Sequence, residues 1–183
     1  MNQKLDRRKK YTRMALKYSL ITLLKIKPIS TITVKEICER ADINRSTFYT
    51  HYHDQFDLLE QIEEKMIADI NTYLSQYNFT RDEESLQMTE KLLEYIAANY
   101  DICQTLLNEN GDHSFERRVM DVARTFLVRN WTEKNNMDAD LSEYAGTFLI
   151  SGSIYVIKQW LANNMDKPPK QIAQLINSIE LNG

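Results

Sequence analysis

Glycine and proline are scarce in this 183-residue chain, with 4 and 3 copies. That leaves too little turn material for an all-β sandwich and too little breaker content for a disordered linker protein, while 43% hydrophobic residues supply a core. Cysteine appears twice, at Cys38 and Cys103, too few for a disulfide framework and in keeping with a reducing compartment. No run approaches the ~18 consecutive apolar residues of a membrane span. The polar, basic N-terminus is not followed by the apolar stretch and small-residue cleavage site of a secretory leader. The expectation is a cytoplasmic chain with no membrane partner.

Catalytic signatures are missing as well. The three histidines, His51, His53 and His113, make neither a His pair four apart on one helix nor a Glu-x-x-His pair. His51 and His53, two apart, point to different helix faces. There is no glycine-rich phosphate loop, no G-x-S-x-G elbow and no Cys-x-x-Cys. The reading is a non-enzyme with no metal site and no cofactor.

What is present is charge asymmetry. The formal net charge is −3, but residues 1–55 carry 12 Lys/Arg against 5 Asp/Glu, a balance of +7. Residues 56–183 carry 11 against 21, a balance of −10. A basic head on an acidic body is the electrostatic footprint of a nucleic-acid-binding segment attached to a soluble partner domain. Arg7-Arg8-Lys9-Lys10 is its densest stretch and is suited to phosphate contact.

Twenty residues, Thr33 to Tyr52 (TVKEICERADINRSTFYTHY), organise that head. Thr33 with Glu36 three residues on forms a capping box, and Val34, Ile37, Cys38 and Ala41 fall on one side at helical spacing. Asp42 and Asn44 break the helix, and Asn44 is a good N-cap for a second helix beginning at Arg45. In that helix Phe48 and Tyr52, four apart, form an apolar seam. Ser46, Thr47, Tyr49 and Thr50 point outward, with Arg45 at the tip and His51 at the edge. Such a surface of donors without bulk suits a helix lying in a DNA major groove.

The run ITVKEICERADINRSTFYTHYHDQFDLL resembles the N-terminal DNA-binding segment of the TetR family of bacterial transcriptional regulators. The likeness covers roughly residues 9–70, with NRSTFYTHY its most specific part. Two positions depart from the family pattern: Asp42 stands where glycine is common, and Gln55 where lysine is frequent, which would weaken one phosphate contact. The likeness implies an all-α architecture, in which a three-helix head is joined by a long fourth helix to a larger helical body. The expected division is a helix-turn-helix DNA-binding domain over 9–70 and an effector-binding and dimerisation domain over 71–183. Arg45, Ser46, Thr47 and Thr50 are assigned to base edges and nearby phosphates. Thr33, Tyr49, His51 and the Lys9–Lys10 region are assigned mainly to backbone phosphates.

In order along the chain, residues 1–10 read as a basic arm. A first helix runs from about Lys9 to Lys27, with Leu16, Leu20, Leu23 and Leu24 at helical spacing and a stop before Pro28. Asp54 caps a long helix to about Gln76 whose inward stripe is Phe56, Leu59, Ile62, Met66, Ile70 and Tyr73. Residues 78–85 read as a loop, and helices follow at 86–98, 101–109, 114–136, 141–163 and 169–181.

In the body, the family likeness implies a small-molecule effector pocket, for which Tyr95, Phe115, Phe126 and Trp131 are the candidates. It also implies a homodimer paired through the last two helices, with Phe148, Gly152, Tyr155, Gln159, Leu175 and Ile179 at the interface. A mid-helix glycine costs about 1 kcal/mol relative to alanine, and close approach of another helix is a reason to accept that at Gly152. GTFLISGSIYVIKQWL resembles the subgroup containing dihydroxyacetone-kinase operon activators. The functional expectation is a repressor of a palindromic operator in double-stranded DNA, released by a small molecule. The alternative is an activator or protein-binding co-regulator on the same fold.

Overall fold

The computed structural model describes residues 2–76, 82–107, 114–135 and 139–181. Among them every regular element is helical: α1 (Asn2–Leu24), a 3₁₀ turn (Ile29–Thr31), α2 (Val34–Ala41), α3 (Arg45–Phe48), α4 (Gln55–Ser75), α5 (Asp82–Ala98), α6 (Tyr100–Leu106), α7 (Ser114–Asn135), α8 (Ala139–Ala162) and α9 (Pro169–Leu181). None of these helices is long and apolar enough to cross a membrane. The chain divides into two compact units, one built on Met1–Met66 and the other on Ile67–Asn108 and Asp112–Gly183.

In the first unit α1 packs on α2, and α2 on α3. Leu16, Leu20, Ile32, Ile37, Phe48 and Leu58 are fully buried there. The basic stretch expected as an arm is instead helix from Asn2 onward. Residues 2–10 contain neither glycine nor proline, so nothing interrupts the helix that Leu16 and Leu20 anchor. α1 also ends three residues earlier than expected. Ile26 N–H donates to the Leu23 carbonyl, so the last turn tightens ahead of Pro28.

Asp54 caps α4 as expected, its carboxylate accepting from Phe56 N–H at 2.8 Å and Asp57 N–H at 2.9 Å. The buried stripe of α4 is Leu58, Ile62, Met66, Ile70 and Leu74, so Ile62, Met66 and Ile70 face inward as expected while Leu58 and Leu74 stand in for the expected residues at the two ends. Phe56 is exposed and Leu59 and Tyr73 are half-buried. The sequence offers two overlapping stripes a third of a turn apart, and the one spaced at four throughout is buried.

In the second unit α5 packs on α9, α7 on α8, and α8 on both α6 and α9. α5 begins at Asp82, so residues 82–85 of the expected loop are helical, and 77–81 lie outside the described residues. Glu83 and Glu84 stand in the first turn, where acidic groups favour helix. A buried polar pin joins α5 to α9: Ser85 Oγ donates to Asn177 Oδ1 at 2.9 Å, while Asn177 Nδ2 donates to the Ala173 carbonyl. Pairing is what makes these groups tolerable in a core, and it fixes the register of the two helices. Lys158 of α8 meets Glu116 of α7 at 2.9 Å, both largely buried.

Candidate nucleic-acid interface

The α2–turn–α3 segment is held by a chain of local bonds. Thr33 Oγ1 accepts from Glu36 N–H at 3.3 Å, and Glu36 Oε2 accepts from Thr33 N–H at 2.9 Å and from the Thr33 hydroxyl at 2.9 Å, which completes the capping box. Lys27 Nζ lies 2.6 Å from the other carboxylate oxygen of Glu36. That bond, with those from Thr33, holds the Glu36 carboxyl down at about 2 against an ordinary 4.5. The folded pKa is depressed, so the stability this group contributes is complete above pH 4.5 and is lost as pH falls toward 2. In a carbon-detected carboxylate titration Glu36 should titrate near 2, and Lys27→Met should move it back toward 4.5. An unchanged midpoint in that variant would show that Lys27 does not set it.

Asp42 takes the left-handed conformation, φ 53° and ψ 46°. Ile43 N–H donates to the Cys38 carbonyl at 3.0 Å and Asp42 N–H to Glu39 at 3.4 Å, the paired bonds of a Schellman turn. Aspartate tolerates this conformation better than most residues, yet glycine carries no Cβ penalty there. Asp42→Gly should therefore stabilise the head by about 1 kcal/mol. Denaturant titration would read this as a higher midpoint with unchanged slope. A drop in midpoint would mean that the Asp42 side chain contributes something its backbone does not reveal.

Asn44 Oδ1 accepts from Ser46 N–H at 2.9 Å and from the Ser46 hydroxyl at 3.1 Å, capping α3 as its position demands. α3 is shorter than expected, one α-turn from Arg45 to Phe48. Thr50 and His51 N–H then donate three residues back, to the Thr47 and Phe48 carbonyls. The Thr50 hydroxyl also donates to the Thr47 carbonyl at 2.6 Å. Such side-chain capture of a backbone acceptor competes with regular helix, and the β-branched and aromatic run that follows has little helix propensity to resist it.

Phe48 is fully buried (0% exposed) and Tyr52 is buried beside it, ring centroids 5.6 Å apart. Tyr49 packs edge-on against Phe48 at 5.5 Å while its outer part stays exposed. Arg45, Ser46, Tyr49 and Thr50 are exposed, and Thr47 and His51 are half-exposed. The segment therefore presents hydroxyls, a phenol and a guanidinium outward over an aromatic anchor.

From α1, Lys9 and Lys10 are both exposed. Partial burial, and after it the charges of Arg13 and Lys9, push the His51 imidazole pKa below its ordinary value. Lys9, four residues from Arg13, thus shares a basic edge with His51. Lys10 follows about 100° further round the helix. Sequence reading missed Arg13; its i,i+4 relation to Lys9 was the available signal. Both donors of Thr33 are taken by Glu36, so at the α2 N-terminus an anion would meet backbone N–H groups of the first turn rather than the Thr33 side chain.

In the second unit Tyr95 and Phe126, both expected at a pocket, come to one apolar cluster with Ile70, Leu74, Met88, Leu92, Val119 and Val122. The Tyr95 hydroxyl donates to Asp69 at 2.9 Å, and its ring lies 5.3 Å from Tyr73. Burial, reinforced by Asp69, raises the phenol pKa. Phe115 is instead fully buried in packed core, and the side chain of Trp131 lies outside the described residues.

Along α8, Phe148 (72% exposed), Gly152, Tyr155 and Gln159 form one solvent-facing line, while Leu149, Ile150, Ile154, Trp160 and Leu161 are buried. Leu141 and Tyr144 extend that line toward the N-terminus, two residues missing from the sequence-based set. On α9, Leu175 and Ile179 are exposed, while Ile172, Ala173 and Ile176 are buried. A Cβ at Gly152 would meet nothing within 4 Å, so no close approach among the described residues accounts for that glycine. Among the described residues no group of three or more His, Cys, Asp or Glu side chains is placed to hold a metal ion.

Residues 83–180 match the TetR-type family described as "Transcriptional regulator C-terminal region". The HTH-type transcriptional regulator YxbF of Bacillus subtilis is 24% identical over 170 residues, which is 88% of this chain and 42% of that protein. The chain thus spans less than half the length of this curated relative. Among solved structures, a TetR transcriptional regulator from Streptococcus agalactiae is similar over 98% of both chains, at a TM-score of 0.67 and 23% identity. FadR of Bacillus subtilis, solved in complex with stearoyl-CoA, matches over 91% of this chain and 96% of its own, at a TM-score of 0.63 and 14% identity.

Proposed function

The chain belongs to the TetR family of transcriptional regulators, and from that premise we propose that it is a cytoplasmic, homodimeric DNA-binding repressor released by a small molecule. One observation carries the reading: Phe48 and Tyr52 anchor α3 from behind while Arg45, Ser46, Thr47 and Thr50 face outward. Those four read base edges and adjoining phosphates, while Lys9, Lys10, Arg13, Thr33, Tyr49 and His51 position the head on the backbone. Residues 9–70 act as the DNA-binding domain and 71–183 as the effector and dimerisation domain. Two heads paired through α8 and α9 would meet a palindromic operator at half-sites about 34–36 Å apart or a multiple of that.

Release requires an effector with different affinity for the DNA-competent and DNA-incompetent shapes; a coupling of about 1–3 kcal/mol changes DNA affinity roughly 5- to 150-fold. α4 runs from the reading unit into the cluster around Tyr95 and Phe126, which makes it the natural lever. The FadR structure is in complex with stearoyl-CoA, and an effector with an apolar part would suit the aliphatic and aromatic side chains of this cluster.

Genome-wide footprinting followed by in vitro transcription tests the reading: protected sites with inverted half-sites, and transcription that falls on adding protein, are expected. Activation at those sites would leave the DNA-binding part standing and replace the repressor part. Within the head, Thr47→Ala should relax sequence choice, reducing discrimination at its base pair by about 1–3 kcal/mol. Tyr49→Phe should weaken all duplexes alike by about 0.5–1.5 kcal/mol, the net worth of one hydrogen bond. Operator titrations in which neither variant differs from the parent would overturn these roles.

A further inference from the structure

α1 carries a second surface that the DNA-binding reading does not use. Tyr11, Met14 and Tyr18 are 68%, 60% and 66% exposed, and their spacing of three and four puts them on one line along the helix, opposite Leu16 and Leu20 in the core. Arg7, exposed, stands in the same line one turn earlier, with Arg8 and Lys10 exposed on either side. Between Asp6 and Glu36 the chain has nine Lys/Arg and no acidic residue. Large side chains standing free on a predominantly basic helix are costly to solubility unless something covers them, and tyrosine, methionine and arginine are among the types enriched in protein interfaces.

Three occupants are conceivable, and charge and geometry separate them. Lys9 and Arg13 stand on the side of α1 whose charges reach His51 at the reading segment. Tyr18 is nine residues, two and a half turns, from Lys9, so the stripe looks away from that edge and from a duplex lying on it. A second copy of the same face would set a row of cations against its own image, which is repulsive. An acidic protein segment meets neither objection. We propose that the Tyr11–Met14–Tyr18 face of α1 docks an acidic amphipathic helix of a partner protein, apolar side chains on the stripe and carboxylates toward Arg7 and Arg8.

The probe is a fluorescent synthetic helix with leucine and tryptophan on one face and glutamate on the others, titrated into the full chain and followed by anisotropy. A mixed-sequence DNA duplex is titrated in parallel. The parent protein should bind the peptide saturably, and the Tyr11→Ala/Met14→Ala/Tyr18→Ala triple variant about tenfold or more weaker, the worth of at least one interface anchor. The triple variant should keep parental duplex binding and oligomeric state. Because all three side chains are exposed, thermal melts should match the parent. The inference is overturned if the triple variant binds the peptide as well as the parent, since the attraction is then charge alone, or if the parent does not bind saturably. It is equally overturned if the triple variant loses duplex binding, in which case the stripe meets DNA, or changes self-association, in which case it meets a second copy.

Discussion

Truncating Phe48 to alanine should unfold the reading unit while leaving the helices of the second unit intact. Phe48 is fully buried and touches both Tyr49 and Tyr52, so its removal leaves a cavity where the α2–α3 segment closes on the head. Phe→Ala in a core costs about 3–5 kcal/mol. A unit of some sixty residues buries a small share of its surface and has little margin to absorb that loss. Hydrogen exchange should show residues 1–66 losing protection while α5 to α9 keep theirs, and duplex binding should disappear. Phe48→Leu, which conserves most of the volume, should recover both. Full protection together with parental DNA affinity in the alanine variant would mean that α3 is held by something other than its aromatic anchor.

That anchor was legible in the sequence because every device around it is local. A capping box, a left-handed turn residue, an N-cap and an i,i+4 aromatic pair all act within four residues, and Thr33, Asp42, Asn44, Phe48 and Tyr52 each behave accordingly. What periodicity could not decide was which of two overlapping stripes α4 buries, because Phe56 and Leu58 are equally apolar and the choice lies with the helices packed against them. Nor could it find that the charge of Arg13 acts on His51, thirty-eight positions away, a relation that exists only once α1 and the segment after α3 fold into one unit. The early end of α3 depended on one hydroxyl, Thr50, taking the Thr47 carbonyl, and propensity gives only a hint of that. In the body, aromatic content alone does not separate a pocket wall from packed core. Tyr95 and Phe126 share one cluster, whereas Phe115 is sealed in the core.

Gly152 supplies the sharpest test of the proposed dimer, because its two environments call for opposite responses to the same methyl group. Inside one protomer a Cβ there meets nothing within 4 Å, so Gly152→Ala should raise the stability of an isolated subunit by about 1 kcal/mol through helix propensity alone. In the proposed dimer the same methyl group would stand between two copies of α8 where backbones approach, and a symmetric interface would count it twice. Phe148→Asp acts on the same face without ambiguity. Its side chain is 72% exposed in the protomer, so the subunit should fold normally, yet pairing would bury an unpartnered carboxylate from each side at a cost of several kcal/mol. Sedimentation should find Phe148→Asp monomeric, and its operator affinity should fall by about 10²–10⁴, the advantage two linked heads hold over one. Gly152→Ala should dissociate at higher concentration than the parent while melting later as a monomer. A dimeric Phe148→Asp protein would move the partner surface elsewhere, and a Gly152→Ala variant unchanged in dissociation would remove the reason given for glycine at that position.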